Sequence, residues 1–195
     1  MFVGGSRFAS ASREAVMASA FQERKLRRMF AAFDADSDGY LREEDFRALV
    51  ARWSLLPAVA PGTELRARVQ TLLMGWWAAL LEAGDANGDG TVDMGELLTL
   101  VDDLPAMVAD VTATADTVFD AVDANGDGVI SPEEHQRLVE TWNGQPEDMT
   151  GIFEVLDLNG DGHLSRDEFA LLWRQFWLSD DPAEPGNVLC GRVPD

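Results

Sequence analysis

Four twelve-residue stretches, beginning at Asp34, Asp85, Asp123 and Asp157, carry oxygen-bearing side chains at the same offsets. The third residue is Asp36, Asn87, Asn125 or Asn159, and the fifth is Asp38, Asp89, Asp127 or Asp161. The sixth is always glycine, the eighth is aliphatic (Leu41, Val92, Ile130, Leu164), and the twelfth is a carboxylate (Asp45, Glu96, Glu134, Glu168). Alternate residues of a tight turn aim three oxygens at one point, and the glycine permits the sharp bend that follows. The seventh residue adds its backbone carbonyl: Tyr40, Thr91, Val129 or His163. The ninth acts directly or through water (Asp93, Ser131, Ser165), with Arg42 as the exception, and the twelfth closes the shell with two oxygens. Six to eight oxygens at about 2.3–2.6 Å is the demand of a hard cation such as Ca²⁺. The predicted chemistry is reversible binding of up to four calcium ions.

One such stretch could arise by chance or belong to a phosphatase nucleophile motif; four aligned copies exclude both. The pattern is that of the EF-hand calcium loop. A dockerin-like module would lack the full incoming helix, so the flanks decide. Leu26, Met29, Phe30 and Phe33 form one helical face before the first loop, and Phe46, Leu49, Val50 and Trp53 form another after it. Similar faces flank the other three loops, although Gly84 interrupts the one entering loop two. The expected fold is all-α, with four EF-hands paired one with two and three with four. In each pair the eighth residues should meet in a short β ribbon that makes binding cooperative.

Fifteen basic residues face 35 acidic ones, a net charge of −20. That field disfavours nucleic acid and anionic membrane as partners and favours cations. Fourteen of the acids occupy ligand positions, so the acidity is mainly metal site. The longest apolar stretch, Trp76 to Leu81, is too short to span a bilayer. Residues 1–20 lack the apolar run of a signal peptide and read as a flexible extension, with Met17 as an alternative start. Cys190 is the only cysteine, which fits a reducing cytoplasm. No enzyme is expected, because the carboxylates are committed to metal and neither His135 nor His163 stands beside a nucleophile motif.

The loop starts are separated by 51, 38 and 34 residues. A Pro-rich turn over 54–62 and a helix of about twenty residues from Glu64 into loop two fill the long first gap. The expected organisation is one compact body: a first pair over 21–104, a second over 105–178 and a tail over 179–195. Val188 and Leu189 are the tail's only adjacent apolar residues and are candidates to dock on the core. Ser131–Glu134 and Ser165–Glu168 also read as helix-capping boxes, in competition with the metal for the glutamate. The six tryptophans are read as core.

The long first gap, Asp45 in place of Glu and the following Phe46 resemble the sarcoplasmic calcium-binding proteins, with calerythrin, calexcitin and the coelenterazine-binding proteins beside them. The resemblance spans about Leu26 to Leu178. It implies two EF-hand pairs packed face to face around an aromatic core. Members often have a dead second loop, whereas Asp85–Glu96 is intact here. The leading expectation is a calcium buffer or store. The alternatives are a sensor that opens an apolar groove to a protein target, and a carrier of a hydrophobic organic ligand. Asp45 is one methylene shorter than Glu, and Arg42 puts a cation where a ligand belongs. Site one is therefore expected to be weakest, or mixed Ca²⁺/Mg²⁺, and site two, with four carboxylates, to be strong.

Overall fold

The computed structural model describes residues 19–100 and 114–193. Expectations for residues 1–18, for Val101 and Leu104, and for the junction around Leu104–Pro105 lie outside the described residues. The elements are α1 (Ala20–Phe33), β1 (Tyr40–Leu41), α2 (Glu43–Trp53), α3 (Glu64–Gly84), β2 (Val92–Asp93) and α4 (Met94–Thr99), then α5 (Ala115–Val122), β3 (Val129–Ile130), α6 (Pro132–Asn143), α7 (Phe153–Leu156), β4 (Leu164–Ser165) and α8 (Arg166–Leu178). A 3₁₀ turn, Pro185–Val188, follows.

Each helix begins and ends for a local reason. Ser19 caps α1 in a box with Gln22, and Thr63 caps α3 by accepting from the Arg66 amide. The incoming helices α1, α3, α5 and α7 stop at the first residue of a loop. There Asp34, Asp85, Asp123 and Asp157 turn to ψ of 88, 81, 88 and 89° while each amide still reaches the carbonyl four residues back. The incoming helix of hand four is only one turn long. Pro146 has no amide to donate, Asp148 captures the Thr150 amide and hydroxyl, and Gly151 takes φ +73°, so the chain becomes helical only at Phe153. The apolar spacing of Met149, Ile152 and Leu156 survives, but without the helix it implied.

The two ribbons form in the expected register. Leu41 faces Val92, Ile130 faces Leu164, and all four are fully buried. The interruption at Gly84 has a steric reason: a Cβ there would sit 3.2 Å from Leu100 Cδ1 and 3.3 Å from Val92 Cγ1. The glycine makes room for the ribbon and for the outgoing face of hand two.

Both halves share one core. Trp53, Trp142 and Trp173 are buried, and Trp76 of the first half touches Trp142 and Trp173 of the second at centroid distances of 6.1 and 6.3 Å. Phe33 packs on Trp142 at 5.3 Å. Such edge and offset contacts suit the quadrupoles of the rings. At the surface Asp120 on α5 joins Arg68 on α3 to Arg166 at the start of α8, tying the halves again.

The tail docks. Leu189 and Cys190 are buried against the core, and Asn187 is buried beside them. Lys25 donates to the Ser179 carbonyl at 3.0 Å and to Asn187 Oδ1 at 2.8 Å, while His135 Nε2 meets the Leu189 carbonyl at 2.8 Å. Burial lowers the His135 pKa to about 4, so the ring is neutral in this contact near neutral pH.

Candidate metal centre

Within each loop the first aspartate organises the backbone. Asp34 Oδ1 and Oδ2 accept from the amides of Asp38 and Gly39, at 3.1 and 3.0 Å. Asp123 does the same with Gly126 and Gly128, at 2.8 and 3.0 Å. Asp85 and Asp157 repeat the scheme. The third residue accepts from the amide of the fifth, and the fifth from that of the seventh: Asn87 from Asp89 at 2.8 Å, and Asp89 from Thr91 at 2.9 Å. Asp36, Asn125 and Asn159, like Asp38, Asp127 and Asp161, behave alike. Each such bond uses one lone pair of an oxygen and leaves others free to face the loop centre. In loop one, single oxygens of Asp34, Asp36 and Asp38 lie within 4.8 Å of one another.

The glycines at the sixth position take φ of +87, +80, +86 and +86°, with open space where a Cβ would go. Backbone conformation, not crowding, selects glycine there. The fourth position also turns left-handed, a requirement that the sequence reading missed although Asn-Gly at positions three and four signals it. Loops two to four supply Gly88, Gly126 and Gly160; loop one supplies Ser37 at φ +58°. Loop one thus carries strain that the others avoid.

The twelfth residue ties the loop to the helix that follows. Glu134 Oε1 accepts from the Ala124 amide at 2.8 Å, and Oε2 from the Ser131 amide at 2.9 Å. Glu96 holds Ala86 and Asp93 in the same way, at 3.2 and 3.0 Å. Glu168 Oε2 takes the Ser165 amide and hydroxyl, whereas its Oε1 is buried without a hydrogen-bond partner. Capping boxes are therefore formed in hands two, three and four, and capping does not exclude metal. A carboxylate has about four acceptor positions, so it can hold two amides and still turn lone pairs to a cation. Burial pushes the Glu134 carboxyl upward, but the bonds from Ser131 and Ala124 outweigh it and leave the pKa below the ordinary value.

Asp45 reaches the equivalent amides, Ala35 at 3.0 Å and Arg42 at 2.8 Å, from a stem one methylene shorter. The start of α2 must therefore come closer to the start of its loop. Burial raises the Asp45 pKa, its two backbone bonds oppose the rise, and Asp36 and Asp34 add to it. Arg42 contributes no ligand oxygen. Its guanidinium pairs with Asp38, the fifth residue of its own loop, and lies 5.3 Å from the Tyr40 ring centroid.

The donor set fits a hard divalent cation. Oxygen is the ligand atom throughout, three carboxylates of loop one converge, and the buried, unpartnered Glu168 Oε1 lacks the partner that a buried acceptor ordinarily has. The carbonyls of Tyr40, Thr91, Val129 and His163 belong to residues whose amides are already engaged by the fifth residue, which fixes those peptides in place.

Paired helix–loop–helix units joined by a two-stranded ribbon define an EF-hand protein. Family profiles described as an EF-hand domain pair match residues 7–52 and 112–174, and one described as an EF hand matches 78–101, so the chain belongs to the EF-hand proteins. Its fold is similar to a sarcoplasmic calcium-binding protein from amphioxus, with TM-score 0.68, 22% identity, and 90% of this chain and 99% of that one covered. A calcium-binding protein of Streptomyces coelicolor gives TM-score 0.66 and 22% identity over 80% of this chain and 96% of its own. Okadaic acid binding protein 2.1 gives 0.70 and 23% over 91% and 98%. No curated protein matched the sequence. Among the described residues no helix is long and apolar enough to cross a membrane.

Proposed function

We propose that the chain is a Ca²⁺ buffer or store of the cytoplasm, with four sites closed by Asp45, Glu96, Glu134 and Glu168 and no catalytic role. The observation that carries this reading is where the apolar faces go. The helices of both pairs turn theirs into one shared core, and the interior tryptophans contact one another at centroid distances of 5.7–6.3 Å. A sensor needs a groove that it can offer to a target, and a carrier needs interior space for its ligand. The docked tail adds cover on the side of α1 and α8. The large exposed hydrophobics Leu55, Val155, Leu158 and Leu171 are spread over separate elements and account for no such groove by themselves.

Retention on a hydrophobic resin tests the proposal. The protein is expected to bind the resin no more strongly in calcium than in chelator. Calcium-dependent retention would replace the buffer reading with the sensor.

The sites are unequal on this reading. Arg42 competes for Asp38, Ser37 is strained, and the short Asp45 favours the six-coordinate shell of Mg²⁺. Replacing Arg42→Ser and Asp45→Glu together should tighten calcium at site one on the order of tenfold, because ligand charge and closure set EF-hand affinity. Calorimetric titration in millimolar magnesium reads the change; an unaltered weakest site would refute it.

A further inference from the structure

Positive charge in this acidic chain gathers beside α1. Arg24, Arg27 and Arg28 are spaced three and four apart, so they share one helix face. They line a cleft of about 480 Å³ together with Ala31 and Ala32 of the same helix and with Asn143, Gln145 and Glu147. That volume is in the range of small-molecule sites.

Among the described residues Glu147 is the one acid lining the cleft, and its two oxygens are committed. Arg28 pairs with Oε2, the Asn143 amide donates to the same oxygen at 2.9 Å, and the Arg192 backbone amide donates to Oε1 at 2.9 Å. Arg28 also reaches the Cys190 carbonyl at 3.2 Å, which fixes its guanidinium. Among the described residues Arg27 is held by Glu23 in an exposed i,i+4 pair, a weak tether that lets it turn. Arg24 has its Nε buried with no acceptor, a state that buried donors rarely occupy.

We propose that this cleft is a binding site for a small phosphate monoester, held chiefly by Arg24 and Arg27 with Arg28 as a fixed wall. Guanidinium groups bond phosphate and carboxylate oxygens bidentately. A phosphate monoester brings three terminal oxygens and nearly two charges to several such forks, where a single carboxylate offers two oxygens and one charge. An anion there neutralises the cation that stays in excess after Glu23 and Glu147 have paired with Arg27 and Arg28. The small side chains of Ala31 and Ala32 in the lining leave room for an apolar ester group.

Calorimetric titration of phenyl phosphate into the calcium-loaded full chain tests this, with benzoate and phenol in parallel. Saturable one-to-one binding of phenyl phosphate is expected, with benzoate weaker and phenol silent. Arg24→Gln and Arg27→Gln, singly and together, should each weaken it by about tenfold or more, the loss that one charge-assisted bond to an anion represents. Arg66→Gln on α3 should leave it unchanged. Calcium content measured afterwards should also be unchanged. No saturable heat, equal binding by the arginine variants, equal binding of benzoate, or heat explained by calcium stripped from the loops would each overturn the assignment.

Discussion

Excess chelator is expected to lower the melting midpoint of the calcium-loaded protein by about 25 °C or more. A ligand at a thousandfold excess over its dissociation constant stabilises a fold by about 4 kcal/mol per site, so three strong sites contribute about 12 kcal/mol. For a chain of this length each kcal/mol is worth roughly 2–4 °C. The structural cause is visible in loop one, where the oxygens of three aspartates stand within 4.8 Å of one another. Without a cation such clusters repel, and only the loop amides and Arg42 oppose the repulsion. Hand four, with its one-turn incoming helix and unpartnered Glu168 Oε1, should open first. Equal midpoints with chelator and with calcium would contradict the metal assignment as a whole.

Glu134→Gln should abolish tight binding at site three, with a fall in calcium affinity of about a hundredfold or more, since closure by the twelfth residue is what the loop charge count tunes. The substitution keeps the side-chain length but removes the charge. One of the two amides now held by the carboxylate, Ala124 or Ser131, also loses its acceptor, and the cap weakens by about 1 kcal/mol. Site four should weaken as well, because Ile130 and Leu164 tie the two loops through the ribbon. Equilibrium dialysis against radioactive calcium should count one tight site fewer. Glu133→Gln, one residue earlier and exposed, should change nothing; if it matched Glu134→Gln, total charge rather than ligation would govern affinity.

The parts legible in the sequence are those that local chemistry dictates. Offsets within a twelve-residue loop fix where the oxygens fall, so Asp34 to Asp45 and its three counterparts could be located directly. The register Leu41–Val92 and Ile130–Leu164 followed because only the eighth position is uniformly aliphatic. The length of α3 followed from the Pro-rich turn over 54–62 before it and the start of loop two at Asp85 after it. What escaped depends on contacts between distant residues or on competing local terms. Apolar spacing suggested an incoming helix for hand four, but Pro146, Asp148 and Gly151 removed its first turns. The capping boxes looked like rivals of the metal, but they fill only Oε2 of Glu134 and Glu168, and Oε1 accepts one bond in Glu134 and none in Glu168. Nothing local marks Glu147 as the point where Arg28, Asn143 and Arg192 meet, since these partners lie 119, 4 and 45 residues away. The tail offered a Val-Leu pair but no hint that Asn187 would receive Lys25.

That last contact bears on the covalent reactivity of the chain. Lys25 is its single lysine and Cys190 its single cysteine, and the same C-terminal strap shields both. Burial pushes the Cys190 thiol well above the ordinary range, so almost no thiolate exists to be oxidised or alkylated. Burial lowers the Lys25 amine to about 8, and two acceptors hold it in place. While the strap stays down, both soft spots are chemically silent. Once it lifts, acylation at Lys25 Nζ and maleimide addition at Cys190 Sγ would each register the event, which makes the strap its own clock.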